Sequence, residues 1–152
     1  MTDQPRAATE TPSVLDNFLC AAVYRAAHAF TAAYRTQLEP HGLTYPQYLV
    51  LVALWEQQPR TVSELGDLTD LDSGTLSPLL RRLEAARWIT RARSATDARV
   101  VEITLTEGGR QLQAALADVP QHVGRCVGIT TPNAADLLKG LHQLTANLRQ
   151  AG

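Results

Sequence analysis

The segment from Thr61 to Leu105 limits what this chain can fold into more than any other part of it. Thr61-Val-Ser-Glu64 is a capping box, in which hydroxyl and carboxylate each satisfy a backbone N–H of the other's residue, and it opens a short helix. A turn at Asp70-Leu-Asp72 ends that helix, and Asp72 or Ser73 can cap a second one. From Gly74 to Arg87 this second helix carries Leu76, Leu79, Leu80 and Leu83 at helical spacing, an apolar stripe suited to a core. Its remaining surface is small, polar and basic: Ser73, Thr75, Ser77, Arg81 and Arg82. Trp88 to Arg93 and Val100 to Leu105 then alternate as strands do, with Ser94 to Arg99 as the turn between them. Two short helices followed by a basic hairpin predict a winged helix-turn-helix. Such a helix fits the major groove of DNA, and the hairpin beside it reaches phosphates or the minor groove.

Charge supports that expectation once it is localised. The chain as a whole has a formal net charge of −1, so bulk charge says nothing about nucleic acid. Between Arg81 and Arg99, however, arginines at 81, 82, 87, 91, 93 and 99 face only Glu84 and Asp97 as acids. A focused basic patch on a near-neutral protein is an electrostatic footprint for phosphate. Of the 14 basic residues all but Lys139 are arginine, the side chain suited to bidentate contacts with phosphate or guanine. The candidate DNA contacts are therefore Ser73, Thr75, Ser77, Arg81 and Arg82 on the helix, and Arg91, Arg93, Asp97 and Arg99 on the hairpin.

The rest of the chain reads as helix. Ser13 to about Glu39 is Ala- and Leu-rich, opens on Ser13-x-x-Asp16 and stops at Pro40-His41-Gly42. Thr44-x-x-Gln47 opens a second helix to about Gln57. Thr106 caps a helix that runs through Leu116, with a kink or break at Pro120, and Thr131-Pro132 opens a last one to about Arg149. The expected order is α-α-α-α-β-β-α-α, mainly helical with a small β-wing. Residues 45–105 form the DNA-binding domain, 13–44 and 106–152 a helical dimerisation region, and 1–12 a disordered arm, charged and proline-bearing without the apolar run of a signal peptide. Apolar stripes at both ends (Leu15, Leu19, Val23, Phe30; Leu112, Leu116, Val119, Leu137, Leu138, Leu141, Leu144, Leu148) predict pairing with a second copy. A two-fold dimer would place two reading helices about one DNA turn apart on a palindromic site.

With 152 residues the chain can bury a core of its own. No apolar run is long enough for a membrane span. The four histidines (28, 41, 122, 142) have no metal-ligand spacing, and no phosphate loop or nucleophile elbow is present, so no cofactor, metal or enzymatic activity is expected. Only two cysteines occur, far apart, which fits a cytoplasmic protein in which a disulfide is transient or sensory. Cys20 lies in the first helix, with Tyr24 one turn on, Tyr34 along the same stripe, and Tyr45 just past the Pro40–Gly42 turn. Phenolic O–H groups that converge on a cysteine would favour its thiolate, the form that attacks a peroxide. A bystander core cysteine is the competing expectation.

These segments also carry a resemblance. Leu15-Asp-Asn-Phe-Leu-Cys20, Gly42-Leu-Thr-Tyr-Pro-Gln-Tyr-Leu-Val50, Leu71-Asp-Ser-Gly-Thr-Leu-Ser-Pro-Leu-Leu80-Arg-Arg-Leu-Glu84 and Asp97-Ala-Arg99 closely resemble the MarR family, in particular its organic-hydroperoxide-sensing OhrR branch. The resemblance spans roughly Leu15 to Arg110. It implies a repressor that binds operator DNA as a homodimer and releases it when organic hydroperoxide oxidises Cys20. The branch's tyrosine partners fall on Tyr24, Tyr34 and Tyr45. Cys126 falls where the two-cysteine forms keep the residue that closes a disulfide with the other subunit. A MarR-type repressor released by a small phenolic ligand in the dimer cleft, with Cys20 as bystander, is the alternative.

Overall fold

The computed structural model describes residues 13–151, and the N-terminal arm expected at 1–12 lies outside the described residues. The helices are α1 (Leu19–Leu38), α2 (Tyr45–Glu56), α3 (Val62–Thr69), α4 (Ser73–Ala85), α5 (Glu107–Ala115), α6 (Val119–Val127) and α7 (Thr131–Ala151). The strands are β1 (Arg60–Thr61), β2 (Ile89–Arg93) and β3 (Val101–Leu105), joined antiparallel in the order β1-β3-β2. This is a mainly helical, winged helix-turn-helix molecule, with α3 and α4 as its two helices and β2–β3 as its wing.

Several boundaries depart from the sequence expectation for local reasons. The first helix does not run from Ser13. The Ser13–Asp16 capping box is formed, but it closes a single 3-10 turn at Val14–Asn17, and Phe18 is extended (φ −93°, ψ 114°) before α1 starts. Arg25 reaches back from α1 to Asp16 at 3.0 Å and fastens that turn. The helix after Thr106 breaks between Ala115 and Val119, ahead of Pro120, which sits in the first turn of α6 where its missing N–H costs nothing. β1 was not anticipated: two residues are too few to show strand alternation, yet Arg60 and Thr61 pair with Ile103 and Glu102.

The core lies between α2, α3, α4 and the sheet. Leu51, Leu54, Leu65, Leu76, Leu80, Leu83, Ile89 and Ile103 are sealed from solvent there. α1 contributes Leu38 at its C-terminal end, and α5 and α6 add Leu112, Leu116, Val119 and Val123. Leu112, Leu116 and Val119 are thus part of the chain's own core and not, as their spacing suggested, of a stripe left for a second copy. Most of the other stripe residues stay outside: Leu15, Leu19, Phe30, Leu137, Leu138, Leu141 and Leu148 are exposed, while Val23 and Leu144 are half-buried. α7 is exposed along almost its whole length. Its last turn is fastened by Arg149, whose guanidinium lies 2.8 Å from Asp70 in the turn between α3 and α4.

Candidate nucleic-acid interface and cysteine sites

Helix α4 is held from beneath and capped from in front. Leu76, Leu79, Leu80 and Leu83 bury one face. Asp72, not Ser73, is the cap: its carboxylate accepts from the Thr75 backbone N–H at 2.9 Å and from the Thr75 hydroxyl at 2.8 Å. Those bonds, the Thr75 hydroxyl first, hold the Asp72 carboxyl below its ordinary range. Ser73, Ser77 and Arg81 recur every four residues along the exposed side, with Thr75 and Arg82 flanking them. Among the described residues Arg81, Arg82 and Arg87 pair with no carboxylate. Their charge is free to meet phosphate.

The arginines of the wing divide by task. Arg91 is engaged: its Nε and Nη2 clasp Glu84 of α4 at 2.8 and 2.7 Å, so it fastens the wing to α4. Arg93 donates to the Ala98 carbonyl at 2.9 Å and braces the hairpin end. Arg99 alone projects from the tip, with a side chain 90% exposed. Asp97 accepts from its Nε and Nη2, both at 3.2 Å, and from its backbone N–H at 3.0 Å. The guanidinium beside it keeps the Asp97 carboxyl below the usual carboxylate range. The pair aims a cation away from the body of the protein at low conformational cost.

The cysteines and tyrosines fall into separate groups within the chain. Cys20 stands in the first turn of α1 and is exposed. Tyr24, one turn on, is exposed, and its ring lies 4.3 Å from that of His28. Tyr34 is fourteen residues beyond Cys20 on the same continuous helix, which at the α-helical rise is about 21 Å away. Tyr34 packs against Tyr45 (ring centroids 4.5 Å apart) and against Tyr48 (5.6 Å). The tyrosines therefore do not converge on Cys20 inside a single chain. They build an aromatic cluster at the far end of α1, to which Tyr48 belongs although sequence reasoning passed over it. Its position three residues after Tyr45, on the same face of α2, was the available signal. Desolvation raises Tyr34, Tyr45 and Tyr48 above the ordinary phenol value of 10.0, so all three stay protonated O–H donors at neutral pH.

Cys126 is exposed near the end of α6, just before Gly128, which takes the left-handed conformation (φ 65°) that ends the helix. With Val123 and Val127 it faces Ala26, Ala29, Phe30 and Ala33 of α1 across an apolar cavity of about 250 Å³. Its neighbours His122 and Arg125 are exposed. Among the described residues no group of three or more His, Cys, Asp or Glu side chains could hold a metal ion, and no helix is long and apolar enough to cross a membrane.

Comparison with known proteins places this geometry. Residues 32–116 match the family model for the transcriptional regulators SarA/Rot. The chain is 48% identical, over 91% of its own length and 71% of the relative's, to the HTH-type transcriptional regulator TtmR of Methylorubrum extorquens. It is 40% identical, over 90% of its length and 92% of the relative's, to the organic hydroperoxide resistance transcriptional regulator of Bacillus subtilis. Among solved structures, reduced AbfR bound to DNA superposes with a TM-score of 0.74 at 37% identity, covering 88% of this chain and 94% of that one. The same protein, known from Staphylococcus epidermidis, has also been solved in a disulfide form, which superposes at 0.63 with 38% identity over 86% of this chain and 92% of that one.

Proposed function

The chain belongs to the MarR/SarA family of winged helix-turn-helix transcriptional regulators, a DNA-binding family rather than an enzyme family, and from that premise we propose that it is a redox-sensing repressor. In this reading it binds a palindromic operator as a homodimer and lets go when an organic hydroperoxide oxidises Cys20. Residues 45–105 read the DNA, and 13–44 with 106–151 form the dimer frame.

One observation carries the reading: Cys20 and the packed tyrosines lie at opposite ends of α1. Cys20 is at the start of α1, flanked by exposed Leu15, Phe18 and Leu19, and Tyr34 with its partner Tyr45 is at the other end. A two-fold axis crossing the middle of α1 pairs that helix antiparallel with its copy. Cys20 of each chain then meets the protonated phenols of the other, and the exposed apolar residues are covered at the same time. Hydrogen bonds from those phenols favour the thiolate over the thiol. The same axis brings Cys126 of the second copy, which sits against the middle of its own α1, onto the same face as Cys20 but more than about two helical turns from it along α1, so the helix ends must move to close a bridge.

The chemistry balances without a cofactor. The Cys20 thiolate attacks one peroxide oxygen, the O–O bond breaks, and sulfenic acid and an alcohol result. Cys126 of the second copy then displaces water to close a disulfide. Bridging requires Cα atoms within about 7 Å, so the ends of α1 and α6 are drawn together. The helix end at Gly128 and the break before Pro120 are the points that can give. AbfR has been solved reduced on DNA and in a disulfide form, so a relative of this chain both binds DNA and forms a disulfide, which supports the reading.

The test compares operator release by cumene hydroperoxide in native protein and in Cys20→Ser, with an operator duplex selected from a random-sequence pool. Native protein should release the duplex at about one equivalent of peroxide, and Cys20→Ser should hold it. Release by Cys20→Ser would move the trigger from the thiol to a non-covalent ligand such as a phenol. Cys126→Ser should lose the Cys20 thiol, form no covalent dimer and over-oxidise more readily.

A further inference from the structure

Helix α2 carries aromatic residues from one end to the other. Tyr45, Tyr48 and Trp55 follow one another at offsets of three and seven, along a single helical face. Together with Tyr34 they form an unbroken run: Tyr45 to Tyr34 at 4.5 Å, Tyr34 to Tyr48 at 5.6 Å, Tyr48 to Trp55 at 6.0 Å. Tyr48, in the middle, is 5% exposed and has no room to change rotamer without displacing its neighbours.

The far end of this run reaches the root of the wing. Trp55 Nε1–H donates to the carbonyl of Gly109 at 2.8 Å, across 54 residues of sequence. Gly109 belongs to a tight knot. A Cβ at that position would lie 2.0 Å from the Trp88 carbonyl oxygen. Its N–H donates to the Thr106 hydroxyl at 3.0 Å, and that hydroxyl donates to the Arg87 carbonyl at 2.6 Å. The knot joins the end of α4 to the start of β2 and the end of β3 to the start of α5. It sets the wing against the reading helix. Continuing along the chain, α5 leads to α6 and Cys126.

We propose that Trp55 is a positioning residue for the switch: its hydrogen bond to Gly109 couples the tyrosine cluster at the start of α2 to the wing and the reading helix. The proposal rests on the redox reading above. When Cys20 leaves its phenol partners, Tyr34 and Tyr45 repack. In a close-packed aromatic run that repacking is not absorbed locally but passed along α2 as a shift of Trp55. A directional hydrogen bond is either made or broken at its end, which gives the joint two discrete states.

Trp55→Phe keeps an aromatic side chain, though a smaller one, and deletes the N–H. Reduced Trp55→Phe should bind the selected operator duplex within about threefold of native protein, and its Cys20 should oxidise with cumene hydroperoxide at the native rate. The loss of affinity that follows oxidation should shrink by about tenfold. A purely structural role would weaken reduced and oxidised binding alike and leave their ratio unchanged. A second measurement uses native protein: the 15N-indole resonance of Trp55, assigned with Trp88→Phe, should shift when Cys20 is oxidised. This readout decides the matter if Trp55→Phe fails to fold. An unchanged affinity ratio, or an indole resonance that does not move on oxidation, overturns the proposal. Native protein that keeps its operator after Cys20 is fully oxidised instead sinks the redox reading, and the coupling with it.

Discussion

Arg91 and Arg99 are both wing arginines, eight positions apart, and the structure gives them different work. Arg91 spends its guanidinium on Glu84, whereas Arg99 is held outward by Asp97. Arg99→Ala should therefore weaken operator binding and lower the slope of log affinity against log salt by about one. Arg91→Ala should leave that slope nearly unchanged, because the freed Glu84 and the lost arginine were already paired. Titration of binding against salt separates the two. Ordinary sequence patterning showed six arginines in one stretch, but which ones were spoken for depended on carboxylates brought close by folding. The tyrosines make the same point through pH. Tyr34, Tyr45 and Tyr48 are raised above 10.0 chiefly by burial. Their contribution to stability is complete below that value and is lost as pH rises through the higher folded values. Alkaline unfolding, followed by circular dichroism, should begin above pH 10 and be blunted in Tyr34→Phe. An identical alkaline limb in that variant would mean the phenol ionises as freely folded as unfolded.

Helix α4 is the element on which the proposed DNA reading depends most directly, and its two ends are built differently. At its start Asp72 bonds Thr75 twice, so Asp72→Ala should lower the urea midpoint of unfolding. At its end Arg87 takes a left-handed conformation (φ 62°) in which glycine is at ease. Arg87→Gly should relieve about 1 kcal/mol of backbone strain, visible as a higher urea midpoint, while removing one cation from the DNA face. Between the ends, Leu80→Ala should cost about 2–5 kcal/mol, since that side chain is sealed in the core. The elements legible in the sequence were those with complete local signals: α2, α3 and α4, with their caps and leucine spacing, and the β2–β3 hairpin. The 3-10 turn before α1 and the short β1 were not legible. A capping box marks where a helix begins but not how far it continues, and a two-residue strand exists only through its pairing with β3.

For the molecule as a whole, the informative residues are those left outside. Leu137, Leu138, Leu141 and Leu148 on α7, with Leu15, Phe18 and Leu19 before Cys20, are large apolar side chains left exposed to water. If a second copy covers them, the midpoint of thermal unfolding should rise with protein concentration. Leu138→Glu should lower that midpoint and shift the sedimentation coefficient toward the monomer. Assembly was legible as a pattern of leucines, but the pattern could not separate Leu112 and Leu116, which fill the chain's own core, from the leucines of α7, which do not.

The ion pair between Arg149 and Asp70 should tie the response of this molecule to ionic strength to more than its phosphate contacts. It ties the last turn of α7 to the turn two residues ahead of the Asp72 cap, and so closes 79 residues into a ring with the reading helix inside it. The clasp of that ring is exposed, so added salt loosens it just as salt also weakens the grip on phosphate. An ordinary DNA-binding protein gives a straight line of log affinity against log salt. Here the line should bend downward where the ring springs open, and Arg149→Gln, already unclasped, should straighten it.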